Sequence, residues 1–186
     1  MDKKIENGHL HPLTLVIGEV IKVFSSMGFE VAEGPQIEDE WYNFDALNIP
    51  ADHPSRDMQD TFWVKSDRKK VLRTHTSPVQ VRYMKKNKPP FKIIVPGKVF
   101  RNEATDATHD AQFYQVEGLV VGENITLANL KGTREAFLKH LFGEDVQIKL
   151  RPGYFPFVEP GVEIDMICFK CKGDGCTTCK QNGWIE

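Results

Sequence analysis

With 186 residues, 40% of them hydrophobic and 12 of them Phe, the chain can bury the core of one ordinary domain with a small appendage. Lys and Arg number 24 against 26 Asp and Glu, a formal charge of −2 that excludes a globally basic nucleic-acid binder but not a local basic patch. No apolar run approaches the ~20 residues that span a bilayer. MDKKIENGHLHP offers no secretory h-region either, so a soluble, cytoplasmic protein with no membrane contact is expected.

In chain order, His11-Pro12 opens a first helix, with proline where its missing N–H is harmless. Leu13, Val16, Ile17, Val20, Ile21 and Phe24 recur at helical spacing, and Gly28 supplies the stop. A short strand over 29–35 ends at Gly34-Pro35. Residues 48–60, with Pro50 and Pro54 among polar groups, read as a loop or lid. Extended segments are predicted over 61–65 and 71–74, and Ser77-Pro78 starts another helix. Residues 91–121 read as strand, loop, strand. Leu127, Leu130, Phe137, Leu138 and Leu141 mark an amphipathic helix that stops at Gly143. Residues 146–169 alternate as strands interrupted by Pro152, Pro156 and Pro160. The sum predicts an α+β fold, an antiparallel sheet with helices on one side. Charge is uneven: residues 30–60 hold nine acids and one basic residue, residues 65–101 twelve basic residues and one acid. A solvated face is the ordinary explanation, and phosphate handling the functional one.

Several residues could carry chemistry. Alternation along 112–121 puts Phe113, Gln115, Glu117 and Leu119 on one strand face. That face is either the solvated side of an edge strand or a pocket wall accepting hydrogen bonds from an ammonium group. Arg101 and Glu103 close the preceding strand, where Arg101 can grip a phosphate bidentately or form an exposed ion pair with Glu103. Thr74-His75-Thr76-Ser77 lies at a strand-to-helix turn that can face a ligand. Phe155, Phe157 and Glu159 share a face on a strand whose prolines prevent regular pairing. Such a pair of rings is core packing or a slot for an aromatic ligand. Cys168, Cys171, Cys176 and Cys179 form C-x2-C-x4-C-x2-C, with Gly173 and Gly175 freeing the turn. Four thiolates can close a structural zinc site with Zn–S near ~2.3 Å. Four free thiols or an iron–sulfur cluster are the alternatives.

The stretches GFEVAEGP, RTHTSPVQVR, GKVFRNE, THDAQFYQVEG and RPGYFPFVEPGVEIDM, colinear over residues 9–166, resemble the α subunits of phenylalanyl-tRNA synthetases, within the class II aminoacyl-tRNA synthetases. The resemblance implies a class II catalytic core over 9–167, with the first class motif at 28–35 and the second at 99–121. It implies ATP-dependent activation of phenylalanine and transfer to tRNA(Phe), with magnesium and a β subunit in an α2β2 heterotetramer. By the same resemblance Arg101 would contact the α-phosphate and the amino-acid carboxylate, with Glu103 at the adenine end. Gln115, Glu117, His75 and Ser77 would hold the α-ammonium group. Phe155 and Phe157 would pack against the phenyl ring, with Val158 also substrate-binding, and Glu159 would share a magnesium ion with the β subunit.

Two departures stand out. The third class motif and the N-terminal tRNA-gripping coiled coil are missing, so a central fragment, inactive by itself, is expected, with 180–186 starting the following strand. The cysteine segment 168–179 is not general to the family and reads as a zinc-knuckle insertion. A non-catalytic zinc-knuckle module that binds tRNA or a partner subunit is the competing function.

Overall fold

A computed structural model describes residues 8–57, 60–67, 69–102, 110–155 and 158–186. The first helix, α1 (Pro12–Ser26), begins where His11 Nδ1 accepts the Leu13 N–H at 3.2 Å. It ends before Gly28, whose φ of +82° reverses the chain. Its apolar stripe is buried only in the second half: Val20, Val23 and Phe24 are buried, whereas Leu13 and Val16 are exposed. β1 (Glu30–Val31) then runs parallel to β4 (Phe91–Phe100), with Glu30 opposite Ile93. β4 pairs antiparallel with β5 (Gln112–Val121) over ten residues, from Phe91 opposite Val121 to Phe100 opposite Gln112. The order β1-β4-β5 is therefore mixed rather than wholly antiparallel.

The helices also lie on both faces of this sheet, not on one. Ile94 packs with Val20, Phe24 and Phe29, joined by Phe137 of α4 (Leu127–Phe142). Ile93 and Val95 point the other way, onto Val79 of α3 (Ser77–Lys86). Alternation along β4 separates the two clusters, as a pleated strand requires. α4 carries a capping box from Thr126 and Asn129, and it ends at Gly143 with φ +101°.

The region between β1 and α3 differs most from its sequence reading. β2 (Ile37–Asp39) pairs antiparallel with β3 (Lys70–Leu72), and a short helix, α2 (Glu40–Asn43), follows it. The extended segment expected over 61–65 is reduced to a single bridge between Trp63 and Val71. Within the predicted loop, Pro54–Arg56 forms a 3-10 turn. A third sheet contains β6 (Ile148–Pro152), β7 (Val162–Ile167) and β8 (Trp184–Ile185), all antiparallel. Buried Asp165 of β7 is held by the Arg151 guanidinium at 2.6 and 3.0 Å. Among the described residues no helix is long and apolar enough to cross a membrane.

The acidic and basic stretches partly neutralise each other instead of forming separate solvated faces. Glu38, fully buried, accepts from Arg82 Nε at 3.0 Å and from Nη2 at 2.6 Å. The Arg82 guanidinium also lies 4.0 Å from the Tyr42 ring centroid. Removing the cation strands a carboxylate away from water. Arg82→Met should therefore cost about 3 kcal/mol in urea unfolding, and adding Glu38→Met should recover much of the loss.

Candidate amino-acid and phosphate site

The Thr74–Ser77 turn sits beside β5 because several buried polar contacts hold its ends. Arg73 is buried, its Nε donating to the Lys98 carbonyl at 2.8 Å and Nη1 to the Gly34 carbonyl at 3.2 Å. Asn43 grips Thr74 twice: Nδ2 donates to Thr74 Oγ1 at 3.1 Å, and Oδ1 accepts the Thr74 N–H at 3.3 Å. Pro78 sits in the first turn of α3. Ser77 and Gln80 consequently face Glu117 from one helix, three residues apart.

Glu117 accepts from Ser77 Oγ at 2.7 Å and from Gln80 Nε2. Burial pushes its carboxyl above the usual range, against the hydrogen bonds from Ser77, Thr76 and Gln80. Two residues along the same face, Gln115 Oε1 is buried without a hydrogen-bond partner. His75 is lowered to about 4, first by burial and then by the positive charge of Arg101, while a hydrogen bond to the Asn43 backbone opposes the shift. Its Nδ1 is buried and without a hydrogen-bond partner. Arg101 Nε donates to the Thr74 carbonyl at 3.3 Å, and its guanidinium lies 5.0 Å from the Phe113 ring centroid.

The structure thus gathers His75, Ser77 and Glu117 with Arg101 close by, and Gln115 shares the Glu117 face. It adds Asn43, Arg73 and Gln80, which the sequence reading passed over; Gln80, one helical turn from Ser77, was within reach of spacing alone. Glu103 and Phe157 lie outside the described residues. Phe155 and Val158 are exposed and bridge each other at the tip of the β6–β7 hairpin, and Glu159 beside them is exposed too. Among the described residues no strand pairing joins this hairpin to β5.

The four cysteines converge after β7. Their Sγ atoms all lie within 4.8 Å of one another. Cys168–Cys176 and Cys171–Cys179 are each 3.7 Å apart, and Cys176–Cys179 is 3.8 Å. A regular tetrahedron with metal–sulfur bonds of ~2.3 Å has edges of roughly 3.8 Å, so one ion fits between them. A multinuclear cluster spreads its thiolates over separate irons and needs a wider cage. Backbone N–H groups of Gly175, Cys176 and Gly183 donate to sulfur at 3.3, 3.1 and 3.2 Å. Cys176 is lowered to about 6, chiefly by a backbone hydrogen bond from Cys179, while burial raises Cys171 to about 11. Positive φ at Lys172, Gly173 and Gly175 lets the loop fold back on itself.

The sequence profile described as tRNA synthetases class II core domain (F) matches residues 1–186. Among similar chains, the phenylalanine–tRNA ligase alpha subunit of Caldicellulosiruptor saccharolyticus is 55% identical over 184 residues, or 99% of this chain and 54% of that one. The corresponding subunit of Bacillus mycoides is 55% identical over 186 residues, again covering 54% of its length. The chain therefore spans about half the length of these relatives. A solved pyrrolysyl tRNA synthetase from Desulfitobacterium hafniense superposes with a TM-score of 0.63 at 19% identity, over 88% of this chain and 55% of that one, which carries the fold alone.

The depressed His75 pKa has a measurable sign. Between pH 6.5 and about 4 the unfolded chain takes up a proton that folded His75 refuses, so its contribution is present above 6.5 and lost as pH falls. Glu117 works oppositely, its raised pKa adding stability at low pH that is lost as pH rises. The difference between the urea-midpoint profiles of the parent and His75→Asn should isolate the first slope in that window.

Proposed function

Because the chain belongs to the class II tRNA synthetase core family, we propose that it is the amino-acid-activating part of a phenylalanine–tRNA ligase α subunit. The observation that carries this reading is the set of acceptors around α3 and β5. Glu117 and Gln115 Oε1, with Nδ1 of neutral His75 in the tautomer that leaves it unprotonated, would offer three places for the three N–H groups of an α-ammonium, two of them with no partner among the described residues. A protein that only bound a partner through its cysteine knuckle would leave these buried acceptors unused.

In this reading the ammonium is fixed by Glu117, itself held by Ser77 and Gln80. Keeping His75 neutral avoids a second cation beside it. Arg101, which donates to the Thr74 carbonyl and lies 5.0 Å from the Phe113 ring centroid, would present its guanidinium to the amino-acid carboxylate and the α-phosphate of ATP. The carboxylate then attacks the α-phosphorus in line, the bond to the bridging oxygen breaks, and pyrophosphate leaves. Catalysis is positioning and charge neutralisation, with no covalent enzyme intermediate. Glu103 would lie at the adenine end.

Phe155, Phe157 and Val158 would pack against the phenyl ring. Magnesium, held typically by one or two carboxylates with phosphate oxygens and water, would use Glu159 together with the β subunit and would neutralise phosphate charge. Transfer to tRNA(Phe) would follow in the cytoplasmic α2β2 heterotetramer. The four cysteines would hold a structural zinc, since four thiolates leave no coordination site open for chemistry.

Phenylalanine-dependent exchange of labelled pyrophosphate into ATP, measured in the complete α/β enzyme, tests the assignment. Arg101→Ala should slow exchange by roughly 100-fold or more, as loss of one transition-state contact does elsewhere. An unchanged rate removes Arg101 from the reaction. Elemental analysis should find one zinc per chain, lost in Cys176→Ser; visible iron–sulfur absorption in the purified protein would contradict the metal assignment.

A further inference from the structure

Asn43, completely buried at the end of α2, directs both ends of its amide at one residue 31 positions away. Nδ2 donates to Thr74 Oγ1 at 3.1 Å, and Oδ1 accepts the Thr74 N–H at 3.3 Å. Thr74 is buried as well, so these groups have exchanged water for each other. A short amide supplies a donor and an acceptor together and completes the pair without burying a charge.

The end of α2 is itself held. Phe44, next in the chain, is fully buried against Ile49 and Val71. The Arg56 guanidinium lies 4.9 Å from the Phe44 ring centroid and pairs with Glu40 at 3.3 Å and Asp45 at 3.1 Å, one on each side of Asn43 in the chain. Asn43 thus stands on a fixed base, and Thr74 is placed relative to it.

Beyond Thr74 the link continues to Arg101. The Arg101 main chain is set by its N–H bond to the Ala111 carbonyl at 3.0 Å. Its side chain takes its direction from the Thr74 carbonyl, which accepts from Nε at 3.3 Å, and from the Phe113 ring. Of these two contacts the hydrogen bond is the directional one. The backbone of Asn43 also hydrogen-bonds His75. Two site side chains, one on each side of Thr74, are therefore located from a single buried residue.

We propose that Asn43 is a positioning residue for amino-acid activation, aiming the Arg101 guanidinium through Thr74 without itself touching substrate. The role rests on the reading of Arg101 as ligand of the amino-acid carboxylate and the α-phosphate. It goes beyond that reading in naming what holds the cation on target, where a misplacement of ~1 Å can cost about 100-fold in rate.

Pyrophosphate exchange in the complete α/β enzyme tests the link, with thermal melts confirming that each variant stays folded. Thr74→Val removes the acceptor for Asn43 Nδ2 at nearly constant volume and should lower kcat/KM for phenylalanine by about tenfold. Thr74→Ser keeps both contacts and should restore most of that loss. Asn43→Ala removes both and should cost at least as much as Thr74→Val. In an Arg101→Ala background Asn43→Ala should add less than about twofold, because the group it aims is gone, whereas a role in stability alone would multiply through. If Asn43→Ala does not assemble, Thr74→Val takes its place in that background. Absence of phenylalanine-dependent exchange in the parent strikes the assigned function, and the role with it. Where the parent exchanges, the positioning role alone is overturned by an unchanged rate in Thr74→Val or in Arg101→Ala, by a Thr74→Ser no better than Thr74→Val, or by losses that multiply with Arg101→Ala.

Discussion

The buried Arg73 guanidinium is the constraint on which the rest of the α3 side depends. It sits at the end of β3 and donates to carbonyls of the Gly34-Pro35 turn and of Lys98 in β4, stitching three separate chain segments at one point. Donation to neutral carbonyls leaves the charge uncompensated by direct contact, and burial lowers the Arg73 pKa for that reason. Glu38 and Glu117 oppose this shift at longer range. Space for the side chain comes from Gly97, where a Cβ would stand 2.1 Å from Arg73 Nη2. Backbone bonds then continue the stitch, from Arg73 N–H to the Gln36 carbonyl and from Phe100 N–H to the Arg73 carbonyl. The turn that follows has few alternatives left, and His75 and Ser77 inherit their positions.

What that turn faces is an acceptor-rich surface buried against a sheet. The arrangement is costly unless a donor-rich ligand arrives, because a buried carboxylate and unpartnered acceptors have given up water without full replacement. Ser77 and Gln80 offset part of the cost for Glu117. In the proposed role the residual cost would make the surface selective, because a ligand without N–H groups would gain nothing from the Gln115 acceptor. Arg101 is the neighbour whose charge helps keep His75 neutral.

Most of the regular architecture was legible in local patterns. The stops at Gly28 and Gly143, the β4–β5 pair and the start of α3 follow from glycine, proline and strict alternation. β2 was not legible, since Ile37-Glu38-Asp39 looks polar until Arg82, 44 residues later, makes burial of Glu38 tolerable. The parallel partner of β1 was equally hidden, because two residues carry no signal of direction. On the site, residue types pointed to Gln115, Glu117, Arg101 and His75. Arg73 and Asn43 gave no such signal: their importance lies in carbonyls and a turn that only the fold brings near. The helices on both sheet faces were missed because amphipathic spacing says that a helix buries one stripe, not against which face.

The cysteine knuckle has a thermodynamic consequence beyond its geometry. Cys168 N–H bonds to the Gly183 carbonyl, Phe169 stacks on Phe142 at 5.2 Å, and Lys172 pairs with Asp145 at 3.6 Å. The loop is therefore mechanically continuous with the end of α4 and with β8. An ion held by its four sulfurs would bind the folded loop and not the open chain, so in the proposed role ordering of this corner would be linked to the free concentration of metal around it. Each tenfold change in that concentration shifts the balance by about 1.4 kcal/mol, once the site is well below saturation in the unfolded chain and well above it in the folded one. With a metal in the proposed site, the corner that carries Trp184 and the α4 terminus would in this sense be buffered by metal supply, while the β1-β4-β5 sheet carries none of the four cysteines.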